Sequence, residues 1–523
     1  NWLRWDRSGV TSNASTVEGN GVLDHEQRRL LTGICILVAA ISMVPSTYNF
    51  ILNPMLEGLG ANESEEALLR QLPSIAALLV IFLAGSLGSR IGERRLIVFG
   101  SILLTAGCAL IAVAPVLAVA TLGLVALSAA SSATAVVGLG LLSARVVEPR
   151  ARATAFATFA RVAPAAYMVL PVVAGLLLDH ASWRWVAVMW TAGGLVSIWG
   201  AARYLPTDHP DRSRVEILTP TLAGLALAAS VQTISAISNN GLLSTPVLVR
   251  FAVATAASIA FVAAYRRAPE PSISLAALKR GGLLVLLVVV IVVPFVNLWY
   301  YMTLGYQYVF GMTAVATALL MVPAQLAGVG GALIARKMIM TRGITYAGVA
   351  MLLGLSASLL LTLAIVPTTP IPVTVAIMAV YALASVGAGV PVTNSIMNTA
   401  PSGEEGSASA MRGAATHVGT ALGVVVMTTI VFTAIAGSVE TSLGNDPLAT
   451  SQAEQIAESM RNGASSAEAS ALYAVPVSEV ERIDEVQVTA MIDGLHAHGA
   501  FGAGFIALAA GIFWAARRRT DSS

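Results

Sequence analysis

The chain has 523 residues, of which 56% are hydrophobic and only 11% are charged. Because an ordinary soluble domain carries about 25% charged residues, this composition excludes a soluble globular protein and indicates a chain built for a lipid bilayer. The formal net charge of +2 is too small to suggest a nucleic-acid partner, which would need concentrated basic patches.

Apolar stretches long enough to cross a bilayer, which takes about 20 residues, recur from Leu30 to Ala515. They lie near residues 30–56, 68–89, 96–114, 118–142, 152–178, 185–204, 218–237, 246–265, 282–304, 313–335, 344–365, 371–395, 412–437 and 497–516. We number these predicted membrane spans 1 to 14. The sequence therefore predicts an all-α integral membrane protein with about fourteen transmembrane helices.

The positive charges provide an independent check, because the cytoplasmic loops of membrane proteins collect Lys and Arg. With the N-terminus inside, alternate connections hold Arg90, Arg94 and Arg95; Arg145, Arg150 and Arg152; Arg203, Arg212 and Arg214; Arg266, Arg267, Lys279 and Arg280; and Arg336, Lys337 and Arg342. Both tails are basic, and the intervening loops are nearly free of positive charge. We predict an even number of spans in a bacterial plasma (inner) membrane, with both termini in the cytoplasm.

One connection on the other side of the membrane is long, since residues 438–496 are polar and acidic. Within it, Val480, Ile483 and Val486 recur at roughly helical spacing between Val477 and Met491. The pattern predicts a short helix, which either lies over the outer mouth of the protein or docks a partner.

A short internal repeat relates the two ends of the chain. Gly85-x-Leu87-x-x-Arg90 ends span 2, and Gly331-x-Leu333-x-x-Arg336 ends span 10. Many transporters are built from repeated halves, so the repeat predicts two equivalent six-helix bundles with spans 7 and 8 inserted between them. The predicted domains are a cytoplasmic tail (1–29), a first bundle (30–204), the inserted helices with their loops (205–281), a second bundle (282–516) and a cytoplasmic tail (517–523).

The order of several motifs resembles one known family. Gly85 to Arg95 resembles the loop signature of the major facilitator superfamily between its second and third helices. Further similarity, to the fourteen-helix drug:proton antiporter branch, lies in Leu170 to Gly175, Ser182 to Trp185, Tyr306 to Pro323 and Gly403 to Gly423. The resemblance implies a major facilitator fold that moves a small molecule by alternating access, usually for export and in exchange for protons. It also implies a cytoplasmic gate motif made of Gly85, Arg90, Gly92, Arg94 and Arg95.

The chain departs from that family at positions associated with the gate and with proton coupling. Ser89 stands where the loop signature has an Asp, and Glu93 stands where it has a basic residue. The family's fourth helix opens with an Arg that is absent between Leu117 and Leu142. Pro45 occupies the place of an Asp in the first helix.

Every Asp and Glu falls in a loop, a tail or the end of a predicted span. Proton-driven transporters commonly hold a buried ionisable group inside the membrane, so three interpretations are open. His417, which titrates near pH 6.5 when unperturbed, carries the proton; a rim carboxylate such as Glu57 or Asp179 carries it; or transport is not coupled to protons. The alternative for His417 is a structural hydrogen bond between helices.

Polar side chains within the spans are candidates for substrate contact. On span 1, Ser42, Ser46, Asn49 and Asn53 share one helix face, with Tyr48 beside them. Such a stripe either lines a cavity or forms hydrogen bonds between helices. The same two interpretations apply to the candidates on spans 9, 10 and 12, which are Asn297, Tyr301, Gln325 and Asn394.

Arg161 lies about nine residues into predicted span 5, on one face with Thr154 and Thr158. An Arg at the bilayer centre costs about 2.5–3.5 kcal/mol on insertion scales, so it should face water or a partner. It either binds the anionic head group of a substrate or extends to the cytoplasmic face beside Arg150 and Arg152.

Together these features predict an efflux transporter for small hydrophobic or amphipathic molecules, such as drugs or metabolites, that acts as a monomer. Two alternatives stay open: a transporter of lipids or cell-envelope precursors, and a scaffold or sensor that does not transport. Cys35 and Cys108 lie in apolar runs, and no zinc-type His/Glu spacing or Gly-x-Ser-x-Gly elbow is present. We therefore expect no enzyme activity, no metal and no other cofactor.

Overall fold

A computed structural model describes residues 23–60, 63–207, 216–241, 243–268, 282–312, 314–400, 404–443, 455–456, 466–473 and 475–521. Within these ranges the chain is overwhelmingly helical, and fourteen segments are long and apolar enough to cross a membrane. The predicted fold class is confirmed.

The helices follow the predicted order, although several extend beyond the apolar stretches. Spans 1 to 8 are His25–Gly58, Glu63–Ile91, Glu93–Ala112, Leu117–Arg145, Pro149–His180, Trp183–Tyr204, Leu218–Asn240 and Thr245–Arg267. Span 9 consists of Leu283–Val292, the 3-10 turn Val293–Phe295 and Leu298–Tyr308, and span 10 of Ala314–Leu320 and Val322–Arg342. Spans 11 to 14 are Ile344–Leu360, Ile371–Thr399, Glu405–Leu443 and Val477–Asp521, with a 3-10 turn at Leu361–Ala364 and a short helix at Ser466–Tyr473.

Span 9 is broken at its centre because Pro294 has no N–H group to continue the helix. The carbonyl of Val296 accepts a hydrogen bond of 2.6 Å from the Tyr381 hydroxyl of span 12, and that hydroxyl oxygen accepts one of 3.4 Å from the Leu298 N–H. Unsatisfied backbone groups are costly inside a bilayer. One tyrosine therefore stabilises the break and ties span 9 to span 12.

The two halves of the chain repeat one packing pattern. In spans 1–6, span 2 packs on span 4, span 3 on spans 4 and 6, and span 1 on spans 5 and 6. In spans 9–14, the corresponding contacts are span 10 on 12, span 11 on 12 and 14, and span 9 on 13 and 14. The halves are therefore equivalent six-helix bundles, whereas the predicted domain boundaries stay a prediction. Between the halves, span 5 packs against spans 10 and 12, and span 13 against spans 2 and 4.

The two ends of the bundle differ in charge and in core packing. We call the end that carries Arg90, Arg94, Arg145, Arg336 and Arg342 the basic face, and the other end the opposite face. Near the basic face one continuous cluster of buried apolar residues crosses from the first half to the second. Toward the opposite face the first half closes on a cluster of its own, which includes Ile51, Met55, Ile111 and Trp190.

The inserted spans lie along the groove between the halves. Span 7 packs against span 2 on one side and span 13 on the other, with Leu78, Val231 and Ala421 buried between them. Span 8 packs on span 7 and exposes large apolar side chains, as expected of a helix that faces lipid. The pair therefore contacts both halves from outside.

The helices of spans 13 and 14 are 39 and 45 residues long. At about 1.5 Å per residue they measure about 58 and 68 Å, roughly twice the hydrocarbon thickness of about 30 Å. Their outer ends stay together, since Ser438 Oγ donates a 2.7 Å hydrogen bond to Asp493 Oδ2. The segment from Val477 to Met491 is helical as its pattern indicates, but it is the first part of span 14 and not a separate helix over the mouth. We call residues 438–443 and 477–493 the projection.

Candidate functional site

At the basic face, Arg152 joins the two halves. Its buried guanidinium donates hydrogen bonds of 2.7 Å to the Val146 carbonyl and 3.0 Å to the Ser143 carbonyl, both in the first half. A third donor, Nη1, binds Oδ1 of Asn398 on span 12. Arg152 thus fixes the turn between spans 4 and 5 and holds it against the second half.

Two further hydrogen bonds cross between the halves at the same end. Arg336 Nε of span 10 donates to Thr154 Oγ1 of span 5 at 2.9 Å. Ser409 Oγ of span 13 donates to the Val136 carbonyl of span 4 at 2.8 Å. These bonds link spans 4 and 5 to spans 10 and 13, so the contact extends across the width of the interface.

Gly406 of span 13 lies against two glycines of the first half. A Cβ atom placed on Gly85 would be 2.7 Å from the Gly406 carbonyl oxygen, and one on Gly140 would be 3.2 Å from the Gly406 Cα. Spans 2, 4 and 13 therefore approach backbone to backbone, which small residues permit in membrane helices. We call these contacts, together with the hydrogen bonds between the halves just described, the seal.

Arg161 lies on the face of span 5 that holds Thr154, about two turns further from the basic face. Its Nε donates to the Ala157 carbonyl at 3.2 Å, and its Nη2 donates to Thr158 Oγ1 at 2.8 Å. The half-buried side chain leans back by one turn but does not join Arg152, which is nine residues or about 13 Å away along the helix. Of the two predicted positions for this cation, the structure places it above the seal.

Arg412 supplies a second cation, from the other half. It is half-buried on span 13, and its Nε donates a 3.0 Å hydrogen bond to Thr393 Oγ1 of span 12. The next residue on span 12, Asn394, is 1% exposed, and its Oδ1 has no hydrogen-bond partner among the described residues. Both residues of span 12 lie about one turn above Asn398 of the seal.

The structure describes only part of the predicted polar stripe of span 1. Ser42 and Ser46 are buried, and Ser46 Oγ donates to a carbonyl of its own helix at 2.9 Å. Tyr48 is half-buried and has interactions with its surroundings. The side chains of Asn49 and Asn53 lie outside the described residues, so their roles stay a prediction.

Thr47, next to this stripe, makes the interhelical contact of span 1. Its Oγ1 accepts a 2.8 Å hydrogen bond from Nε1 of Trp190 on span 6, and both side chains are buried. Thr47 is therefore a structural residue, which leaves Ser46 and Tyr48 as the visible candidates on this helix.

The candidates on spans 9 and 10 lie apart from one another. Tyr301 is 4% exposed, and its ring centroid lies 4.5 Å from that of His498 on span 14. Its hydroxyl is 3.5 Å from Thr428 Oγ1, and His498 is fully buried without a hydrogen-bond partner for either ring nitrogen among the described residues. Asn297 is exposed at the start of the second helix of span 9, and Gln325 is half-buried.

His417 is exposed on the same face of span 13 as Thr420 and Val424. The described contacts do not bring it to the layer of Arg161 and Arg412, and its role in proton coupling stays a prediction. Within the described ranges, no group of three or more His, Cys, Asp and Glu side chains is arranged to hold a metal ion.

Residues 33–424, three quarters of the chain, match the family model of the Major Facilitator Superfamily. The chain belongs to this superfamily. Two relatives from Mycobacterium tuberculosis, strains CDC 1551 and H37Rv, are each named "Uncharacterized MFS-type transporter EfpA" and are 31% identical over 192 residues. The match spans 37% of this chain and 36% of each relative, which is about a third of their length.

Several solved transporters share the fold of this major facilitator chain. The human organic anion transporter MFSD10 (TETRAN) matches with a TM-score of 0.59 at 13% identity, over 94% of this chain and 100% of that one. The proton:xylose symporter XylE matches with a TM-score of 0.54 at 12% identity, over 80% and 90%. A bacterial homologue of the iron transporter ferroportin, in an outward-facing state, matches with 0.54 at 11% identity, over 89% and 99%. At these identities the likeness concerns the fold alone.

The loop motif between spans 2 and 3 takes a defined geometry in this major facilitator protein. Gly92 has φ of 113°, a conformation that favours glycine, and it allows the sharp turn between the helices. Arg94 Nη2 donates a 2.6 Å hydrogen bond to the Ala202 carbonyl in the last turn of span 6, where carbonyls lack helical partners and a cation is favoured. Arg90 is half-buried and Arg95 is exposed.

Sequence reasoning missed Arg412 and His498 for one shared reason. The predicted spans 13 and 14 begin at residues 412 and 497, which puts both side chains at span ends. The helices begin at Glu405 and Val477, so both residues lie well inside a helix. A single cation or histidine at the margin of an apolar run was the signal that could have found them.

Proposed function

We propose that this protein exports small amphipathic molecules and that the structure is its outward-facing state. The observation that supports this proposal is the seal, which joins the halves at the basic face by backbone contact and hydrogen bonds. Toward the opposite face the first half closes on its own apolar cluster, and spans 1 and 9 do not pack extensively on each other. Alternating access requires such a state, closed at one end only.

In this proposal the basic face is cytoplasmic, because cytoplasmic loops concentrate Lys and Arg. Both termini then lie in the cytoplasm, and the projection lies outside the membrane. The mycobacterial relatives support a bacterial plasma membrane as the location. We propose a monomer, since each half already has its complement of packed neighbours.

The substrate in this proposal is hydrophobic over most of its surface. Ligand sites are mostly apolar, with a few polar groups that fix orientation, and the spans above the seal offer such a mixture. The proposed contacts are Ser46, Tyr48, Asn49, Asn53, Arg161, Asn297, Tyr301, Gln325 and Asn394. His417 is the proposed residue for proton coupling, because the described carboxylates lie near span ends.

A reversible crosslink across the seal tests the proposal directly. A Cβ atom on Gly413 of span 13 would lie 3.8 Å from Cγ2 of Val136 on span 4 and 2.7 Å from Cδ1 of Ile81, the flexible end of a side chain. Cysteines at positions 136 and 413 would therefore face each other across the interface. The variant Val136→Cys/Gly413→Cys, in a background where Cys35 and Cys108 are replaced by Ala, is reconstituted in liposomes with a fluorescent amphipathic dye.

Oxidation should stop dye movement and reduction should restore it, because the locked halves cannot expose the site to the cytoplasmic side. Each single-cysteine variant is the matched control, and the oxidant should not change its rate of dye movement. Continued transport by the fully crosslinked protein, verified by its mobility on a gel, would contradict alternating access through this seal.

A further inference from the structure

We propose that the transported molecule carries an anionic oxygen group, such as a carboxylate, sulfonate or phosphate, which binds between Arg161 of span 5 and Arg412 of span 13. The inference rests on the proposed function, because it names the substrate class of the same transport site.

The two guanidinium groups lie in one layer above the seal. Arg161 binds the carbonyl of Ala157, five residues above Arg152, and Arg412 binds Thr393, five residues above Asn398. Since Arg152 and Asn398 contact each other, both cations stand about 7.5 Å above the same contact. Spans 5 and 12 pack side by side. Arg412 lies on the neighbouring span 13 and reaches span 12 through Thr393, so both cations lie beside span 12, where the proposed oxyanion binds them.

Neither cation has a carboxylate partner in the part of the chain that the structure describes. No carboxylate among the described residues lies within 4.0 Å of Arg161 or Arg412, so neither forms an ion pair there. A charged side chain inside a bilayer is costly unless it faces water or a partner, and here two of them share a layer. An anion bound between them supplies the missing charge.

Both side chains are held for such a ligand by a threonine. Thr158 Oγ1 accepts from Nη2 of Arg161 at 2.8 Å, and Thr393 Oγ1 accepts from Nε of Arg412 at 3.0 Å. A guanidinium has five N–H donors in a rigid plane, and most of them remain available on each arginine within the described part of the chain. Planar donors of this kind bind carboxylates and related oxyanions by paired hydrogen bonds.

The placement also gives the anion a role in the transport cycle. Arg161 belongs to the first half and Arg412 to the second, so a bound anion contacts both halves at once. A ligand shifts a conformational equilibrium only by binding one state better than another. An anion that binds both cations favours the states in which the halves are closest around it.

Calorimetric titration of the purified full chain, in a neutral detergent, tests this inference. The probes are naphthalene-2-sulfonate and naphthalene-2-sulfonamide, which share one ring system and differ in charge. A third titration, with a short-chain phosphatidylglycerol, distinguishes binding of a lipid phosphate from binding of a soluble anion. Tighter binding of either anion than of the sulfonamide agrees with the inference. The variants are Arg161→Gln, Arg412→Gln, the double variant and both single Lys variants.

We expect the sulfonate to bind at least tenfold tighter than the sulfonamide, and each Gln variant to reduce this preference by about tenfold, since hydrogen bonds between charged groups are worth that much or more. The double Gln variant should show no preference, and the Lys variants should keep part of it. Arg250→Gln, on span 8 away from the site, is the matched control and should keep the full preference.

Two results would overturn the inference. One is a double Gln variant that still prefers the sulfonate. The other is an equal loss of both probes in the Gln and the Lys variants, which would mean that the arginines support the fold. A protein that passes the crosslinking test but gives either of these binding results keeps the proposed function and loses this inference alone.

Discussion

Gly85 of span 2 and Gly406 of span 13 are in direct backbone contact across the two halves. A Cβ atom on Gly85 would lie 2.7 Å from the Gly406 carbonyl oxygen, and one on Gly406 would lie 2.6 Å from that of Gly85. Real Cβ atoms do not approach a backbone oxygen so closely, so even an alanine at either position forces the helices apart. The closed seal therefore requires glycine, which has no side-chain methyl group, at both positions.

We expect Gly85→Ala and Gly406→Ala to destabilise the closed seal by about 1–3 kcal/mol, the usual cost of overpacking. The measurement is the alkylation rate of a cysteine at Ser409, which is 2% exposed within the seal, in a parent protein without Cys35 and Cys108. Both variants should increase the rate. Gly330→Ala on span 10, where a Cβ meets nothing within 4 Å, is the control and should leave it unchanged.

Arg152 makes hydrogen bonds of two kinds, one that closes the seal and two that stabilise the first half. Asn398→Ala removes only the bond that Arg152 makes to the second half. It should therefore increase the alkylation of Ser409→Cys, while the melting temperature stays close to that of the parent protein. Arg152→Ala also leaves the carbonyls of Val146 and Ser143 without their donor, so it should lower the melting temperature as well. Equal melting temperatures for the two variants would contradict this division.

Span 1 offers a matched pair of hydroxyl deletions. Thr47→Val leaves the buried Nε1 of Trp190 without an acceptor, which costs about 1–3 kcal/mol and should lower the melting temperature. Ser46→Ala removes a bond to its own helix and should be nearly neutral for stability. In the transport assay Ser46→Ala should change the apparent affinity for substrate, because this hydroxyl is one of the proposed substrate contacts.

His498 is fully buried beside Tyr301, and its ring nitrogens have no acceptor or donor among the described residues. Replacing an unsatisfied polar ring by an apolar ring of similar shape removes a desolvation cost. We expect His498→Phe to raise the melting temperature in detergent and His498→Ala to lower it, because the latter leaves a cavity. A lower melting temperature for the Phe variant would point to a polar partner for the imidazole.

Proton coupling through His417 predicts a pH effect on transport. Histidine is the side chain whose charge changes most readily near neutral pH, so the rate of a carrier coupled through it should depend on pH. His417→Gln should flatten that profile while preserving transport at its plateau. If the Gln variant keeps the pH profile of the parent protein, His417 has no part in coupling.

The sequence was sufficient for the fold because hydrophobic length and loop charge are set by the bilayer, not by tertiary contacts. Each stretch of about 20 apolar residues must cross, and Arg-rich loops such as Arg90 to Arg95 mark one side. The short repeat ending in Arg90 and Arg336 likewise predicts two equivalent halves, and the helices of the two halves do pack in the same pattern.

The seal could not be found in this way, because its members look ordinary in sequence. Gly406 is one of 45 glycines, and Arg152 reads as one of several cytoplasmic cations. Their importance comes from which helices meet at that level, a property of the tertiary fold. Arg412 was hidden by a different effect, since hydropathy places a helix start at the first long apolar run and ignores the polar turns before it.

The unbroken helix of span 13 has a mechanical consequence. It runs without interruption from Gly406 in the seal to Leu443 in the projection, over about 56 Å. A stiff rod that pivots near its middle swings its two ends in opposite directions, so parting Gly406 from Gly85 sweeps the far tip toward the first half. The signal of a dye attached at Ser442, on the opposite face, would therefore report whether the seal at the basic face is closed.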